Sequence, residues 1–365
     1  MKVVHAAETI QGGVATVLKQ LALYQATSET FSSVSCVVPS NQSSQLEPLQ
    51  AQYIIGFTRT GRNFTSLLSF TISLLKVLIK EKPNVLHLHS SFAGIIGRIL
   101  VCILFPIIRP KVIYCPHAFS FLMSNNGKLK NKIYIAVEKI LAGVTSGIIC
   151  VSNYEKNQAI KDGMPEKKLH VIHNGVPVIK NKPEEILNPY NKDKINLLFI
   201  GRFDYQKGFD LLLTAMDKLN GSDFHLTAIG SSVHSDFKYD NKENITYTGW
   251  MASKDISKYL AFADCLVIPS RWEGFAMVPL EAMSFGLPII ASNATSLPEV
   301  VENNNNGLLF DINVVDDLYT TIKMYEPEKF QKMGVNGNKI FQKLYTASNM
   351  INSTMELYKD VSFKK

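Results

Sequence analysis

Two acids, Glu273 and Glu281, and two cations, Arg202 and Lys207, are the residues whose types and spacing could do chemistry in this chain. Glu273 lies in Arg271-Trp272-Glu273-Gly274-Phe275-Ala276-Met277-Val278-Pro279-Leu280-Glu281-Ala282, after the apolar run Cys265-Leu266-Val267-Ile268-Pro269. The run reads as a buried parallel strand, and Leu280-Glu281-Ala282-Met283 as the first turn of a helix. Glu273 is therefore expected in the strand-to-helix loop and Glu281 on the helix that leaves it. In an open α/β sheet such a loop lies at the carboxyl edge of the strands, where ligands bind. Gly274 and Ala276 allow close backbone approach, and free N–H groups at a helix start suit an anion. Two carboxylates beside an anion suit a ligand that also carries hydroxyls, as a sugar does. The plain alternative is a solvated loop glutamate and a helix-start glutamate that complements the macrodipole.

The cations belong to a second loop of the same kind. The strand Ile195-Asn196-Leu197-Leu198-Phe199-Ile200 runs into Gly201-Arg202-Phe203-Asp204-Tyr205-Gln206-Lys207-Gly208-Phe209-Asp210 and then a helix over Leu211–Leu219. An arginine fork and a lysine point charge around a helix N-terminus make a diphosphate site, the alternative being two surface cations. With both cations in place, no metal is needed to neutralise a leaving phosphate. No Asp-x-Asp follows an apolar strand, so no metal site and no cofactor are expected. Three further loops follow strands. Gly12-Gly13 separates the strand Val3–Ala6 from an amphipathic helix and offers either a phosphate approach or a plain tight turn. Pro116-His117-Ala118-Phe119 delivers His117 to the ligand edge, as a chemical group or as a hydrogen-bonded structural histidine. Gly230-Ser231-Ser232 ends one strand, and Gly249-Trp250 ends another with an aromatic suited to a nucleobase.

The elements that must position these residues alternate through 365 residues, 46% of them hydrophobic, enough for two α/β domains. Strands are expected at Ser33–Val38, Asn84–His89, Lys111–Cys115, Gly147–Ser152 and Leu169–Ile172, with helices over Leu67–Ile79 and Asn153–Ile160. Asn41–Gln52 reads as a polar loop. Pro177–Lys194 is rich in proline and charge and reads as a linker. The last helix is expected from Ala347 to about Lys359. Cys36, Cys102, Cys115, Cys150 and Cys265 are odd in number and lack metal-ligand spacing, which suggests reduced core thiols in a cytosolic protein. The opening apolar run is too short for a signal peptide, and no stretch reaches about 18 uninterrupted apolar residues.

Charge is uneven. Residues 1–190 hold 20 Lys and Arg against 10 Asp and Glu, while residues 191–365 hold 18 against 21. A basic, apolar-rich first half suggests an anionic partner, or else ordinary solubility charge. Phe92–Ile108 is strongly apolar apart from Arg98, Pro106 and Arg109, and reads as a core helix with a membrane-facing edge. Asn126–Leu141 interleaves Lys128, Lys130, Lys132 and Lys139 with Leu129, Ile133, Tyr134 and Ile135. That pattern suits either an anionic membrane surface or a solvated lysine face.

Gly12-Gly13, Arg202 with Lys207-Gly208, and Glu273-x7-Glu281 together resemble the retaining family-4 glycosyltransferases of GT-B fold. Asn174-Gly175-Val176, Leu297-Pro298-Glu299-Val300 and Asn306-Gly307-Leu308 also look like that family. The resemblance implies an α/β fold of two Rossmann-like domains facing across a cleft. Residues 1–176 would form the acceptor domain, 177–194 the linker and 195–345 the nucleotide-sugar donor domain, with 346–365 a helix crossing back to the first domain. Carried over by position, Arg202 and Lys207 would hold the diphosphate and Glu281 the ribose hydroxyls. Glu273, with the N–H groups of Gly274 to Val278, would hold the donor hexose. Gly12 and Gly13 would approach the phosphates from the first domain, and His117 would lie near the transferred sugar. The chain departs from the family at Ala276-Met277, at Pro279, and in Gly230-Ser231-Ser232, which lacks the common Gly-x-Gly.

The resemblance further implies a UDP-sugar as donor of a hexose or N-acetylhexosamine and a lipid-linked oligosaccharide as acceptor, as in O-antigen, capsule or exopolysaccharide biosynthesis. The acceptor would bind near Gly12, His89, Ser90 and His117, with the enzyme peripheral at the inner face of the cytoplasmic membrane. No residue stands out as a covalent nucleophile, so same-face displacement is expected. Rival readings are a GT-B epimerase or phosphorylase and a non-catalytic nucleotide or RNA binder. RNA-recognition signatures are absent, so no nucleic-acid partner is expected. A dinucleotide oxidoreductase would need a glycine fingerprint that is missing.

Overall fold

The computed structural model describes residues 1–122, 127–178, 187–232 and 242–363. The chain divides into two compact units: Met1–Gly175 with Ala347–Lys365, and Val176–Thr346. The expected linker falls partly outside the described residues, and its described ends group with the second unit. Asn126, the first residue of the lysine-rich stretch, also lies outside them.

In the first unit the elements run β1 (Lys2–Ala7), α1 (Gly13–Thr27), β2 (Ser33–Pro39), β3 (Ile54–Phe57), α2 (Phe64–Glu81), β4 (Val85–His89), α3 (Ser91–Leu104), β5 (Lys111–Cys115), α4 (Lys128–Ala142), β6 (Gly147–Cys150), α5 (Asn153–Lys161) and β7 (Leu169–Val171). The second unit carries β8 (Ile195–Ile200), α6 (Phe209–Lys218), β9 (Phe224–Ile229), β10 (Ile245–Gly249), α7 (Ser253–Phe262), β11 (Cys265–Ile268), α8 (Met277–Phe285), β12 (Ile289–Ser292), α9 (Leu297–Val300), β13 (Gly307–Phe310), α10 (Asp317–Ile322) and α11 (Pro327–Leu344). The chain then returns to the first unit as α12 (Ala347–Phe363), longer than expected.

Both sheets are parallel, in the orders β3-β2-β1-β4-β5-β6-β7 and β10-β9-β8-β11-β12-β13. Strand order reverses between β1 and β4 in the first and between β8 and β11 in the second. Those are the switch points where an open parallel sheet splays its loops apart and binds ligands. The apolar runs of the central strands β1, β4, β6, β11 and β12 are buried on both faces, as parallel strands between helices must be. β3 was not foreseen. Its four residues are short and only Phe57 is fully buried, so an edge strand there carries almost no hydrophobic signal. The loop expected before it forms short 3-10 turns at Ser40–Leu46 and Ala51–Tyr53. Four of the cysteines are buried and free as expected, whereas Cys102 is exposed because it sits on the outer side of α3.

Arg98, which the sequence presents as a break in an apolar helix, is fully buried. Its guanidinium donates to Gly94 O and Glu138 Oε2, each at 2.8 Å, and stacks 4.1 Å from the Tyr114 ring centre. Tyr114 donates its hydroxyl to Glu138 Oε1 at 3.0 Å, so the pair ties α3 to α4 and β5. Arg98→Ala would leave the Glu138 carboxylate buried without its cation. We expect a loss of about 3–5 kcal/mol in chemical denaturation of the first unit.

Candidate functional site

At the switch point of the second sheet the two loops read from the sequence meet. Lys207 Nζ donates to Glu273 Oε1 at 2.6 Å, and Ser270 Oγ donates to the same oxygen at 2.7 Å. The lysine is 23% exposed and the glutamate 8%, so the pair is shielded but reachable from one side. Asp204 shapes the β8–α6 loop: Oδ1 accepts from Lys207 N at 2.8 Å, and Oδ2 pairs with Arg202 Nε at 2.8 Å. Arg202 also donates to Gln206 Oε1 at 2.7 Å. Each cation expected at a diphosphate therefore has an internal oxygen partner here, and a bound phosphate would replace it.

Arg271 holds the two loops together. Its guanidinium grips Asp210 with two bonds of 2.7 Å, donates to Tyr205 O at 2.8 Å, and lies 3.8 Å from the Tyr205 ring centre. Its own N–H donates to Gln206 O at 2.8 Å. The β11–α8 loop is fixed at its other end by Glu273 N donating to Thr295 Oγ1 at 2.9 Å. Two glycines make the packing possible. Gly208 has φ +64°, and a Cβ there would stand 1.9 Å from Pro269 O; at Gly230, φ +145°, it would stand 1.8 Å from Gly201 O. Gly230 is thus required by loop-against-loop packing, whatever it contributes to a ligand.

Glycine 274 leads through buried Phe275 and Ala276 into α8, whose first turn contains Met277 and Val278. No side chain caps this end, which leaves the positive end of the helix dipole at the loop. Glu281 follows on α8. Desolvation raises its carboxyl above the usual range, and among the described residues no donor reaches it. Trp250 is exposed beyond the edge strand β10, and the preceding Gly249 O accepts from Gly230 N at 3.0 Å.

In the first unit the carboxyl edge is strained. Ser90, His117 and Ala118 have φ of 73°, 55° and 102°, which side-chain-bearing residues rarely adopt. Buried Glu155 holds the turn: Oε1 accepts from Ala118 N at 3.1 Å and Phe119 N at 2.9 Å, and Oε2 from Val151 N at 2.7 Å. Ser152 caps α5 by accepting from Glu155 N, while the glutamate side chain turns to the His117 loop. Gly12 precedes α1 with φ 59°, and Gly13 is the first residue of that helix.

His117 is partly buried, and its Nε2 lies 3.1 Å from His89 Nδ1. His89 is fully buried, which corrects its expected role as an acceptor-facing residue: it stands behind His117 and backs it. Ser90 Oγ is likewise buried, with no partner among the described residues. Behind them, His5, His87 and His89 pack ring against ring on β1 and β4, with His87 and His89 ring centres 4.1 Å apart. The signal for this cluster was present in His87-Leu88-His89, because a two-residue period sets both rings on one face of a strand. Arg271 and Glu155 had no such signal, since each bonds to residues distant in the chain.

Burial pushes His5 and His117 down to about 4 and holds His87 and His89 well below the ordinary imidazole range. The folded cluster is therefore neutral at pH 7. Because the unfolded chain binds protons near 6.5 and the folded one does not, stability is fully present above that pH. It should fall as pH drops from about 6.5 towards 4. Denaturant midpoints across that window would check this; a flat profile would mean the imidazoles take up protons while folded.

The description "Glycosyltransferase Family 4" matches residues 11–179 and "Glycosyl transferases group 1" residues 182–339. A Klebsiella pneumoniae protein, described only as an uncharacterized 41.2 kDa protein in the cps region, is 41% identical over 98% of this chain and 99% of its own length. The Escherichia coli UDP-Gal:alpha-D-GlcNAc-diphosphoundecaprenol alpha-1,3-galactosyltransferase is 29% identical over 80% of each chain. Among solved structures, Anabaena HepE in complex with UDP superposes with a TM-score of 0.80 at 18% identity, covering 99% of this chain and 100% of that one.

Proposed function

We propose that this chain, which belongs to the family-4 glycosyltransferases of GT-B fold, moves a hexose or N-acetylhexosamine from a UDP-sugar to a lipid-linked oligosaccharide with retention of configuration. The observation that carries the reading is the Lys207–Glu273 ion pair beside the uncapped start of α8. A pyrophosphate would take Lys207 from Glu273, and the carboxylate so released would accept hydrogen bonds from sugar hydroxyls. Arg202 would turn from Asp204 to the same phosphates, and Glu281, which has no donor among the described residues, would take the ribose hydroxyls. The names of the E. coli relative and of the UDP complex of HepE are consistent with this choice of donor and acceptor.

In the reaction the bond from the anomeric carbon to the diphosphate oxygen breaks, leaving an oxocarbenium-like sugar. Lys207, Arg202 and the α8 N–H groups stabilise the charge that develops on the leaving group, without a metal ion. The acceptor oxygen attacks from the face the diphosphate leaves, and its proton passes to a departing phosphate oxygen. His117 positions the sugar as a neutral imidazole rather than serving as the principal base.

The lipid end of the acceptor calls for a membrane surface, and the first unit offers one. No helix of the described residues is long and apolar enough to cross a membrane. Neighbouring α2, α3 and α4 instead expose Phe64, Leu68 and Ile72, then Ile99 and Ile103, then Leu129, Ile133 and Ile140. Lys128, Lys130, Lys132 and Lys139 surround the last group, which suits shallow insertion among anionic headgroups. These exposed side chains support the reading that the enzyme works at the inner face of the cytoplasmic membrane.

UDP or its sugars should raise the melting temperature of the wild type, and Arg202→Ala or Lys207→Ala should abolish the shift. Retained shifts in both variants would contradict the assigned diphosphate site. In flotation with vesicles containing anionic lipid, changing Lys128, Lys130 and Lys132 to Glu should release the protein. Unchanged flotation would remove the lysines from the account.

A further inference from the structure

Three buried or half-buried imidazoles lie end to end behind the strained turn of the first unit. Gln25 Oε1 is 2.7 Å from His5 Nε2, His5 Nδ1 is 3.0 Å from His89 Nε2, and His89 Nδ1 is 3.1 Å from His117 Nε2. We propose that Gln25, His5 and His89 are positioning residues that fix His117 in one tautomer, with its proton on Nε2 and its Nδ1 lone pair presented outward. The proposal rests on the reading above only for what that lone pair then does.

The direction follows from counting protons. A neutral imidazole carries one N–H, and each of the three bonds needs one. An amide oxygen can only accept, so His5 must spend its proton on Gln25 from Nε2. His5 Nδ1 is then a bare acceptor, and His89 must donate to it from Nε2. His89 Nδ1 is left bare in turn, and His117 must donate from Nε2. All rings are held neutral by burial, so no second proton is present to blur the order. His117 ends with a bare Nδ1, and among the described residues nothing donates to it. A group of that kind accepts a hydrogen bond from a hydroxyl and cannot act as an acid.

The surroundings hold the line in place. His5 pairs with His87 across β1 and β4, and the ring of His87 is fixed by Tyr358 of α12, whose hydroxyl lies 2.7 Å from Nδ1. Glu155 fixes the backbone just after His117 by accepting from Ala118 N and Phe119 N. The three rings of His5, His87 and His89 also resemble a metal-binding group. Yet His5 Nδ1 and His89 Nε2 face each other at the span of a shared proton, and His87 and His89 are stacked rather than convergent.

The test is nitrogen-resolved NMR of the full chain with 15N-labelled histidine, the His117 signals assigned by their loss in His117→Gln. At pH 7 we expect His117 protonated on Nε2 alone, and a mixture of tautomers at His89 and His117 in Gln25→Leu. Donor turnover should fall in Gln25→Leu with little change in the donor KM. His117 protonated on Nδ1, or doubly protonated, would overturn the relay without any variant, as would loss of the His5–His89 proton to added zinc at equimolar concentration. An unchanged His117 in folded Gln25→Leu would also overturn it. If the tautomers shift and turnover does not, the relay stands and the reading of His117 as a sugar-facing group falls.

Discussion

The ion pair between Lys207 and Glu273 is the contact on which the second unit's site depends. It joins two loops that leave neighbouring strands at the point where strand order reverses. Neither loop would hold its shape alone. Asp204 curls the first around its own backbone, Arg271 clamps the second to Asp210 and Tyr205, and Gly208 and Gly230 remove the atoms that would keep the loops apart. A half-shielded cation that already has an anionic partner is a ready exchange site. It keeps its desolvation cost low while waiting, and under the proposed function it would gain a charge-assisted bond with phosphate when the donor arrives.

The first unit solves a different problem, the burial of polar groups under a strained turn. Its imidazoles stay neutral and bond to one another, so they add no charge to the core, and their one-proton limit makes the order of bonds directional. Glu155 meets the backbone demand of the same turn with two N–H bonds and ties it to the end of β6 through Val151 N. The unit is thereby tuned to neutral pH: acid attacks its stability through the groups that keep His117 in position.

Much of this was legible in the chain. Parallel strands buried on both faces read as plain apolar runs, and small or charged residues after them marked the ligand edge at Gly12, His117, Arg202 and Glu273. Partnerships were not legible. Lys207 and Glu273 are 66 positions apart, as are Gln206 and Trp272, and no local pattern links such residues. Arg98 looked like an interruption because its partner Glu138 is on another helix. His89 looked exposed at a strand end, while the strained turn after β5 covers it with His117. Sequence periodicity reports which face a side chain takes, and only tertiary packing decides whether that face is open.

The central claim is chemical: a departing pyrophosphate is neutralised by Arg202, Lys207 and a helix start, with no divalent ion. The most direct measurement is turnover of the preferred UDP-sugar after exhaustive treatment with EDTA, with and without added manganese. The account predicts the same rate in both. Loss of turnover under chelation, restored by manganese, would contradict it.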